Sequence, residues 1–594
     1  MQDYEELVSF LGTWGRFQRR VFLLLCLMAI PGGYYLQSVF FLLASPPHHC
    51  HIPADRNMSQ DWIQASIPEQ FGTSGDLNSN STQQVGVLSE RSSCSRYDLD
   101  QVQNLSALGL SPEFVLSELK QEDCKDGWTY STEYYESTVV TEFNLVCSEE
   151  WKKPLSSLAY FLGALCGSFI SGQISDRFGR KPVVFGAITM LSISSIALAF
   201  APSWPVFTLL YFLIGMGQNS SLIVLFVLGS EIQIGSTRIL FSSLCLPCTW
   251  VTGMMLLPGS AYLVRNWRHL SLMMAVPGLA CIPLWWQIPE SPRWLISRGR
   301  LREAELLLSS AALENKVEPP HGFFLSDNVR NSNLSLFSLT QKHSSLTKVS
   351  VSPQCEKAES KKSLGFLDLL RTSNIRHTSF ILWFVWFSLS LSYYGLAFNM
   401  SSLSGSPFLN YFLVAAIELP AYSVNWLVVS RCPRRYSYIG FTLMGAVALL
   451  LIQITLHSPP ALSLSLVLLG KFGIMIGIGV SFVHTGELSP TVIRNTAMSS
   501  CATFSRAGCC VSPYLMQLAV FHESLPLIFA GSLSLLSIAL YILLPETFRK
   551  PYPDTIQEMG QIQCFRCPWA SMSCLKDDEI PIQHQIMGLE TVCA

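Results

Sequence analysis

Three ionisable residues, Glu418, Lys471 and Arg506, stand inside stretches that are otherwise apolar. A charge at bilayer depth is costly unless it faces a partner or a cavity, so each is a functional candidate by default. Arg506, in Ser505-Arg506-Ala507-Gly508, presents a planar guanidinium that can hold a carboxylate through two parallel hydrogen bonds, or can pair permanently with Glu418 or another buried acid. Glu418 precedes Leu419-Pro420-Ala421-Tyr422, where proline loosens a helix and leaves a carbonyl for a cavity. Its carboxylate can receive a cation or hold Lys471. Lys471 is expected to serve as that structural partner, because an ammonium would oppose a cationic head group. A quaternary ammonium cannot donate a hydrogen bond and is held against electron-rich rings, for which Trp250, Phe482, Tyr393 and Tyr394 are candidates; each alone reads equally as packing.

A denser group of charges lies in Gly172–Lys181 (Gly-Gln-Ile-Ser-Asp-Arg-Phe-Gly-Arg-Lys), a short loop between the apolar runs 154–171 and 183–201. Each run can cross about 30 Å of hydrocarbon at about 1.5 Å per residue, so the loop joins two membrane helices tightly. Spanning runs recur near 20–44, 152–172, 183–201, 206–229, 239–262, 270–288, 377–397, 409–429, 437–456, 461–484, 497–520 and 525–544. Twelve helices put both termini on one side. Arg177, Arg180, Lys181, Arg238, Arg431, Arg434, Arg435 and Arg494 fall on that same side, and short basic loops face the cytoplasm. The chain therefore divides into a cytoplasmic N-terminus (1–19), a first membrane helix (20–44), an external loop (45–150), helices two to six (151–288), a cytoplasmic helical segment and flexible linker (289–376), helices seven to twelve (377–544) and a cytoplasmic tail (545–594).

Composition agrees with this reading: of 594 residues, 49% are hydrophobic and only 13% charged, too apolar for a soluble surface. The first apolar run, after Arg19 and Arg20, is too long for a leader and is expected to be retained. No nucleotide-binding loop, catalytic constellation, metal-ligand set or nucleic-acid-binding pattern is present, so an enzyme, an ATP-driven pump and a nucleic-acid partner are set aside. The external loop carries Cys50, Cys94, Cys124 and Cys147 and acceptor sequons at Asn57, Asn80 and Asn104, which implies a disulfide-braced, glycosylated domain. Four cysteines allow three pairings, and sequence does not choose among them. Residues 301–308 repeat Leu and Ala at helical spacing, residues 325–362 are serine-rich and linker-like, and Cys564-Phe565-Arg566-Cys567 is a lone pair to which no chemistry is assigned.

Six helices, a cytoplasmic linker and six more is the plan of the major facilitator transporters, and Gly172-x-x-x-Asp176-Arg177-x-Gly179-Arg180-Lys181 resembles that superfamily's loop between its second and third helices. The resemblance implies an all-α membrane protein of two six-helix bundles with a cytoplasmic gate. In that gate Asp176 would sit near the N-terminal end of a helix from the other half, with Arg177 and Arg180 bridging carboxylates such as Glu231. Glu487 is expected to pair with Arg494. The matching loop of the second half, Ser430-Arg431-Cys432-Pro433-Arg434-Arg435, lacks the aspartate, so the latch is expected to be asymmetric.

Pro289-Glu290-Ser291-Pro292-Arg293-Trp294-Leu295, Glu487-Leu488-Ser489-Pro490-Thr491 and Leu544-Pro545-Glu546-Thr547 further resemble the solute carrier 22 family. Asp126-Gly127-Trp128, Gly167–Gly172 and Pro433–Ser437 are similar to its organic cation/carnitine transporters. The resemblance implies a plasma-membrane, alternating-access carrier of small organic cations or zwitterions, carnitine-like betaines first, with Arg506 on the carboxylate and Gln218 and His484 beside the substrate path. Sodium as coupling ion is in doubt: where the subgroup has Asn-Tyr this chain has Ser221-Leu222, and two tyrosines are replaced by Phe482 and His484. The same departures leave a transport-silent receptor or interaction protein on the same scaffold as the alternative.

Overall fold

The computed structural model describes residues 8–12, 14–53, 58–70, 90–108, 119–317, 369–370, 373–402, 405–454, 460–489, 493–522 and 524–548. The sequons at Asn57 and Asn80, the 325–362 stretch and the cysteine pair of the tail lie outside these residues. Among the described residues, ten helices are long and apolar enough to cross a membrane. Two more complete the twelve: Arg494–Gln517, whose polar content includes Arg506, and the shorter apolar Leu525–Tyr541.

In chain order these are α1 (Arg16–Leu36, continued by Ser38–Leu42), α2 (Lys152–Phe178), α3 (Arg180–Ala199), α4 (Trp204–Ile232), α5 (Gly235–Leu240, a π-helical turn Phe241–Cys245, then Leu246–Leu263) and α6 (Trp267–Cys281). The second six are α7 (Ser373–Phe398), α8 (Pro407–Ala416 and Glu418–Arg431), α9 (Arg434–Ile454), α10 (Pro460–Leu488), α11 (Arg494–Gln517) and α12 (Leu525–Tyr541). Residues 172–178, expected as loop, are the last turns of α2. The chain reverses at Gly179 alone, whose φ of +111° favours a residue without Cβ.

Each bundle packs around its own helices, and the two meet where α2 lies on α11 and α5 on α8. Close approach of α1 to α5 depends on Pro31-Gly32-Gly33: a Cβ on Gly33 would stand 1.9 Å from the Trp250 carbonyl oxygen, and one on Gly32 would strike the Trp250 ring. Between α6 and α7, the helix Leu301–Asn315 returns to the start of the chain. Its terminal Asn315 accepts from Phe17 N–H at 2.8 Å, capping α1 from outside, while Glu314 pairs with Arg20 at 2.8 Å.

The segment between α1 and α2 forms a small domain on the face opposite the Gly179 turn. Its two disulfides are Cys50–Cys124 and Cys94–Cys147, which resolves the three possible pairings. Short antiparallel pairs, His48–Cys50 with Trp128–Tyr130 and Ser95–Tyr97 with Gln121–Asp123, frame a buried Arg96 held by Glu122 at 3.1 Å and Asp126 at 2.6 Å. Asn104 is exposed on the helix Leu99–Ala107, open to modification. The domain is fastened to the first bundle at the start of α6, where Glu142 accepts from Trp267 Nε1 at 2.6 Å and pairs with Arg268, whose Nη1 also reaches the Ala199 carbonyl at the end of α3 at 2.6 Å.

Cys94–Cys147 closes a separation of 53 residues. On chain-entropy grounds its loss costs the domain about 4 kcal/mol. Cys94→Ser with Cys147→Ser is therefore expected to lower the apparent melting temperature of the detergent-solubilised protein and its surface biotinylation. An unchanged melting temperature would refute a bracing role.

Candidate functional site

Along the bundle interface the described charges at bilayer depth form two groups. In the first, Glu418, at the bend between the two segments of α8, is 2% exposed and faces Lys471 of α10, which is 1% exposed. Lys471 Nζ stands 3.4 Å from Glu418 Oε1, and the same oxygen accepts from Tyr393 OH of α7 at 2.6 Å. The ammonium also lies over the Tyr393 ring, 3.0 Å from its centroid. A three-helix lock results, with the carboxylate satisfied by an ammonium and a phenol together.

In the second group Arg506 does not pair with Glu418. Its Nη2 donates across the bundle interface to Asn219 Oδ1 of α4 at 2.7 Å, and Asn219 Nδ2 in turn donates to the Ala164 carbonyl of α2 at 2.8 Å. A neutral amide thus holds the cation, and no carboxylate among the described residues pairs with it. Asn219 was not among the residues singled out above, although the polar run Gln218-Asn219-Ser220-Ser221 within an apolar helix is the signal that marks it.

Beside Lys471 and Tyr393, a cavity about wide enough for one water is also lined by Gln37, Phe40, Tyr394 and Tyr411, among others. Gln37 sits at the break in α1, is 3% exposed, and its Oε1 has no partner among the described residues. On the side bearing the disulfide domain, rings close the interface. Phe40 meets Phe398 at 4.9 Å and Tyr411 at 5.0 Å, Phe161 meets Tyr394 at 4.9 Å, and Tyr135 of the external domain meets Phe408 at 5.5 Å.

The other aromatic and polar candidates separate. Trp250 is buried against α1 and shares a small cluster with Ala415 of α8, with Leu222 and Tyr422 against it, so it lies on the interface. Gln218 is buried and donates to the Gly32 carbonyl at 3.3 Å. Phe482 is 49% exposed, edge-on to Trp386. His484 does not join them: fully buried inside the second bundle, its Nδ1 meets Tyr541 OH of α12 at 2.5 Å and its Nε2 meets the Pro545 carbonyl at 3.1 Å. The carbonyl can only accept, so Nε2 carries the proton and both ring nitrogens are satisfied in the neutral form.

At the opposite end the charged loops form two matching constructions. Arg180 pairs with Glu231 of α4 at 3.1 Å and with Asp176 at 2.7 Å, while Glu290 accepts the backbone N–H groups of Arg180 and Lys181 at 3.0 and 3.2 Å. In the second bundle Arg434 pairs with Glu487 of α10 at 3.0 Å, and Glu546 accepts the N–H groups of Arg434 and Arg435 at 2.9 and 3.0 Å. Burial alone would raise the Glu546 pKa, but the backbone N–H groups of Arg435, Phe548 and Arg434 outweigh it and hold the carboxyl below its ordinary range.

Three expectations change here. Glu487 is held by Arg434 and Thr547, not by Arg494, whose Nε points to the Ser489 carbonyl at 3.4 Å. The latch is less one-sided than expected: Arg434 repeats Arg180 because a glutamate on the adjacent helix and a helix N-terminus recur in both halves, while Ser430 stands where the first half has the acid Asp176. Asp176 itself is 71% exposed at the side chain and bonds within its own bundle; Arg177 is exposed beside Phe178.

A family model described as "Sugar (and other) transporter" matches residues 118–557. The chain is 40% identical over 583 residues to solute carrier family 22 member 4 of Mus musculus, covering 98% of this chain and 99% of that one. It is 41% identical over 565 residues to organic cation/carnitine transporter 2 of Rattus norvegicus, covering 95% of each. Among solved structures, a xylose transporter from E. coli in an inward-open conformation superposes with a TM-score of 0.51 at 16% identity, over 69% of this chain and 89% of that one. A partially occluded inward-open form of that transporter gives 0.51 at 13% identity, over 90% and 99%. These two carry the likeness of fold alone.

Removing one partner of a buried pair costs about 3–5 kcal/mol. Arg434→Gln, which strands Glu487, is thus expected to lower the apparent melting temperature far more than Arg494→Gln. Equal shifts would overturn the assignment of Glu487 to Arg434.

Proposed function

Because the chain belongs to the organic cation/carnitine transporters of the solute carrier 22 family, within the major facilitator superfamily, we propose that it moves small carnitine-like zwitterions across the plasma membrane by alternating access. The observation that carries the reading is the bond from Arg506 to Asn219, 2.7 Å long, at mid-membrane between the two bundles. The guanidinium has five N–H donors, and one amide oxygen leaves most of its fork for a substrate carboxylate. A carboxylate docking on the remaining donors draws the guanidinium toward itself and so loosens a contact that ties α11 to α4. The rings of Trp250, Tyr394 and Phe482 are the surfaces on which a quaternary ammonium would rest.

With the termini and the basic loops assigned to the cytoplasm and the disulfide domain to the outside, the aromatic closure is the extracellular gate of this reading. The rocking of two bundles then requires Phe40, Phe161 and Phe408 to part from Tyr411, Tyr394 and Tyr135. The two Arg–Glu constructions keep each bundle rigid as it turns.

Sodium coupling finds little support in the side chains. Ser221 Oγ donates to the Gln218 carbonyl at 2.7 Å, Leu222 offers no oxygen, and both His484 nitrogens are engaged. Radiolabelled carnitine uptake in expressing cells is expected to be saturable and to change less than about twofold when sodium is replaced by N-methylglucamine. Arg506→Ala, with surface expression verified, is expected to lower uptake efficiency about a hundredfold, as loss of two charge-assisted hydrogen bonds implies. Absence of saturable uptake of any betaine or organic cation by the unmodified protein would defeat the proposal.

A further inference from the structure

Outside the membrane, one segment presents imidazoles for which solute transport has no use. His48-His49-Cys50-His51 follows α1 and forms the strand that pairs with Trp128–Tyr130, in the register His48 with Tyr130, His49 with Thr129 and Cys50 with Trp128. The pairing runs on past Cys50: His51 N–H donates to the Gly127 carbonyl at 2.9 Å, and the His51 carbonyl accepts from Arg96 Nη1 at 2.8 Å. Successive side chains of a strand point to opposite faces. Cys50 turns inward to its disulfide, while His49 and His51 both face solvent. Their Cα atoms stand about 6.6 Å apart at about 3.3 Å per residue, a spacing from which two imidazoles can close on one ion with metal–nitrogen bonds of about 2.0–2.1 Å.

We propose that His49 and His51 form an exchangeable site for a divalent transition-metal ion, zinc or copper by the preference of imidazole, on the solvent face of the disulfide domain, with Thr129 positioning His51. The two rings converge on Thr129, which lies directly across from His49 in the register and whose Oγ1 is 3.0 Å from His51 Nδ1. With Nδ1–H donating to that hydroxyl, the lone pair of His51 Nε2 is left for a ligand. Metal-ligating histidines are oriented in this way, through a hydrogen bond from the second ring nitrogen. Water fills the other coordination positions. His48 belongs to the opposite face, where a ring nitrogen lies within 4.8 Å of the sulfurs of Cys94 and Cys147. Those sulfurs are bonded to each other and offer no thiolate. Partial burial and the neighbouring Arg91 guanidinium disfavour positive charge on His49, which makes the ion exchangeable and leaves the bracing of the domain to its disulfides. His-x-His matches none of the helical or finger spacings that mark a metal site in sequence, and it becomes a ligand pair only on a strand. The assignment is independent of the solute carried.

The experiment uses the full-length protein without a polyhistidine tag, purified in detergent, its free thiols alkylated with N-ethylmaleimide, and titrated with zinc chloride by isothermal calorimetry. Saturable zinc binding is expected. His49→Gln and His51→Gln are each expected to weaken it at least about tenfold, because a second ligand on the same strand acts at high effective concentration. Thr129→Val is expected to weaken it about tenfold and Thr129→Ser to retain it, as for an outer-shell hydrogen bond to a ligating ring. His269→Gln, at an exposed histidine outside the strand, is expected to leave it unchanged. His49, His51 and Thr129 are exposed, so these variants are expected to fold, and an unchanged melting temperature in metal-free buffer checks that they do. Undiminished binding by Thr129→Val would overturn the positioning role of Thr129. No saturable zinc binding by the unmodified protein, or binding that survives both histidine substitutions, would overturn the site itself and leave the transport reading untouched.

Discussion

A charge removed from water inside a membrane protein must be answered, and how each charge is answered here decides what each part of the molecule can do. Arg180 with Glu231 and Arg434 with Glu487 are answered by full counter-ions at side-chain exposures of 11–13%. They are rigid joints. Glu418 with Lys471 is answered in the same way, with Tyr393 as a third member, and ties α7, α8 and α10 together. Arg506 is met across the interface by the amide of Asn219 and, among the described residues, by no carboxylate, so it is the charge with something to gain from a ligand.

The two Arg–Glu joints also explain how a chain with little sequence similarity between its halves builds two comparable bundles. In each half an arginine opens a helix just after a tight reversal, a glutamate on a neighbouring long helix receives its guanidinium, and a second glutamate from the segment after the last helix of the bundle accepts the first N–H groups of the arginine's helix. The second glutamate answers the exposed donors and the positive end of the helix dipole together. Glu290 lies in Pro-Glu-Ser-Pro and Glu546 in Pro-Glu-Thr, so the repeat is carried by two short motifs at equivalent places rather than by the loops alone.

Much of this was legible in the sequence because the bilayer imposes a length on every apolar run and a price on every charge within one. The helices, the two-bundle plan and the three deep charges all follow from that rule, and α11 is the case where length and polarity disagreed, because it carries Arg506 among its polar residues. What the rule does not give is pairing across the interior. Arg494 opens α11 seven residues after Glu487, which made it the natural partner; the fold brings Arg434 instead, from the helix beside α10. His484 reads as a titratable group on a substrate-lining helix, but helical phase turns it toward Tyr541 and away from the path. Asn219 escaped because an uncharged amide between serines draws less notice than an arginine, although the two meet.

The external domain is bonded through Glu142 to the start of α6 and through the Arg268 fork to the end of α3, whereas it meets the second bundle through Tyr134 and Tyr135 against the ring of Phe408. Its hydrogen bonds and ion pair belong to one half and its contact with the other is a slip surface of aromatic faces. A body attached in that way travels as cargo of the first bundle. Glycans, insertions or altered loops can accumulate on its far side without entering the moving seam, while the few residues that graze Phe408 remain under the geometric discipline of every transport cycle.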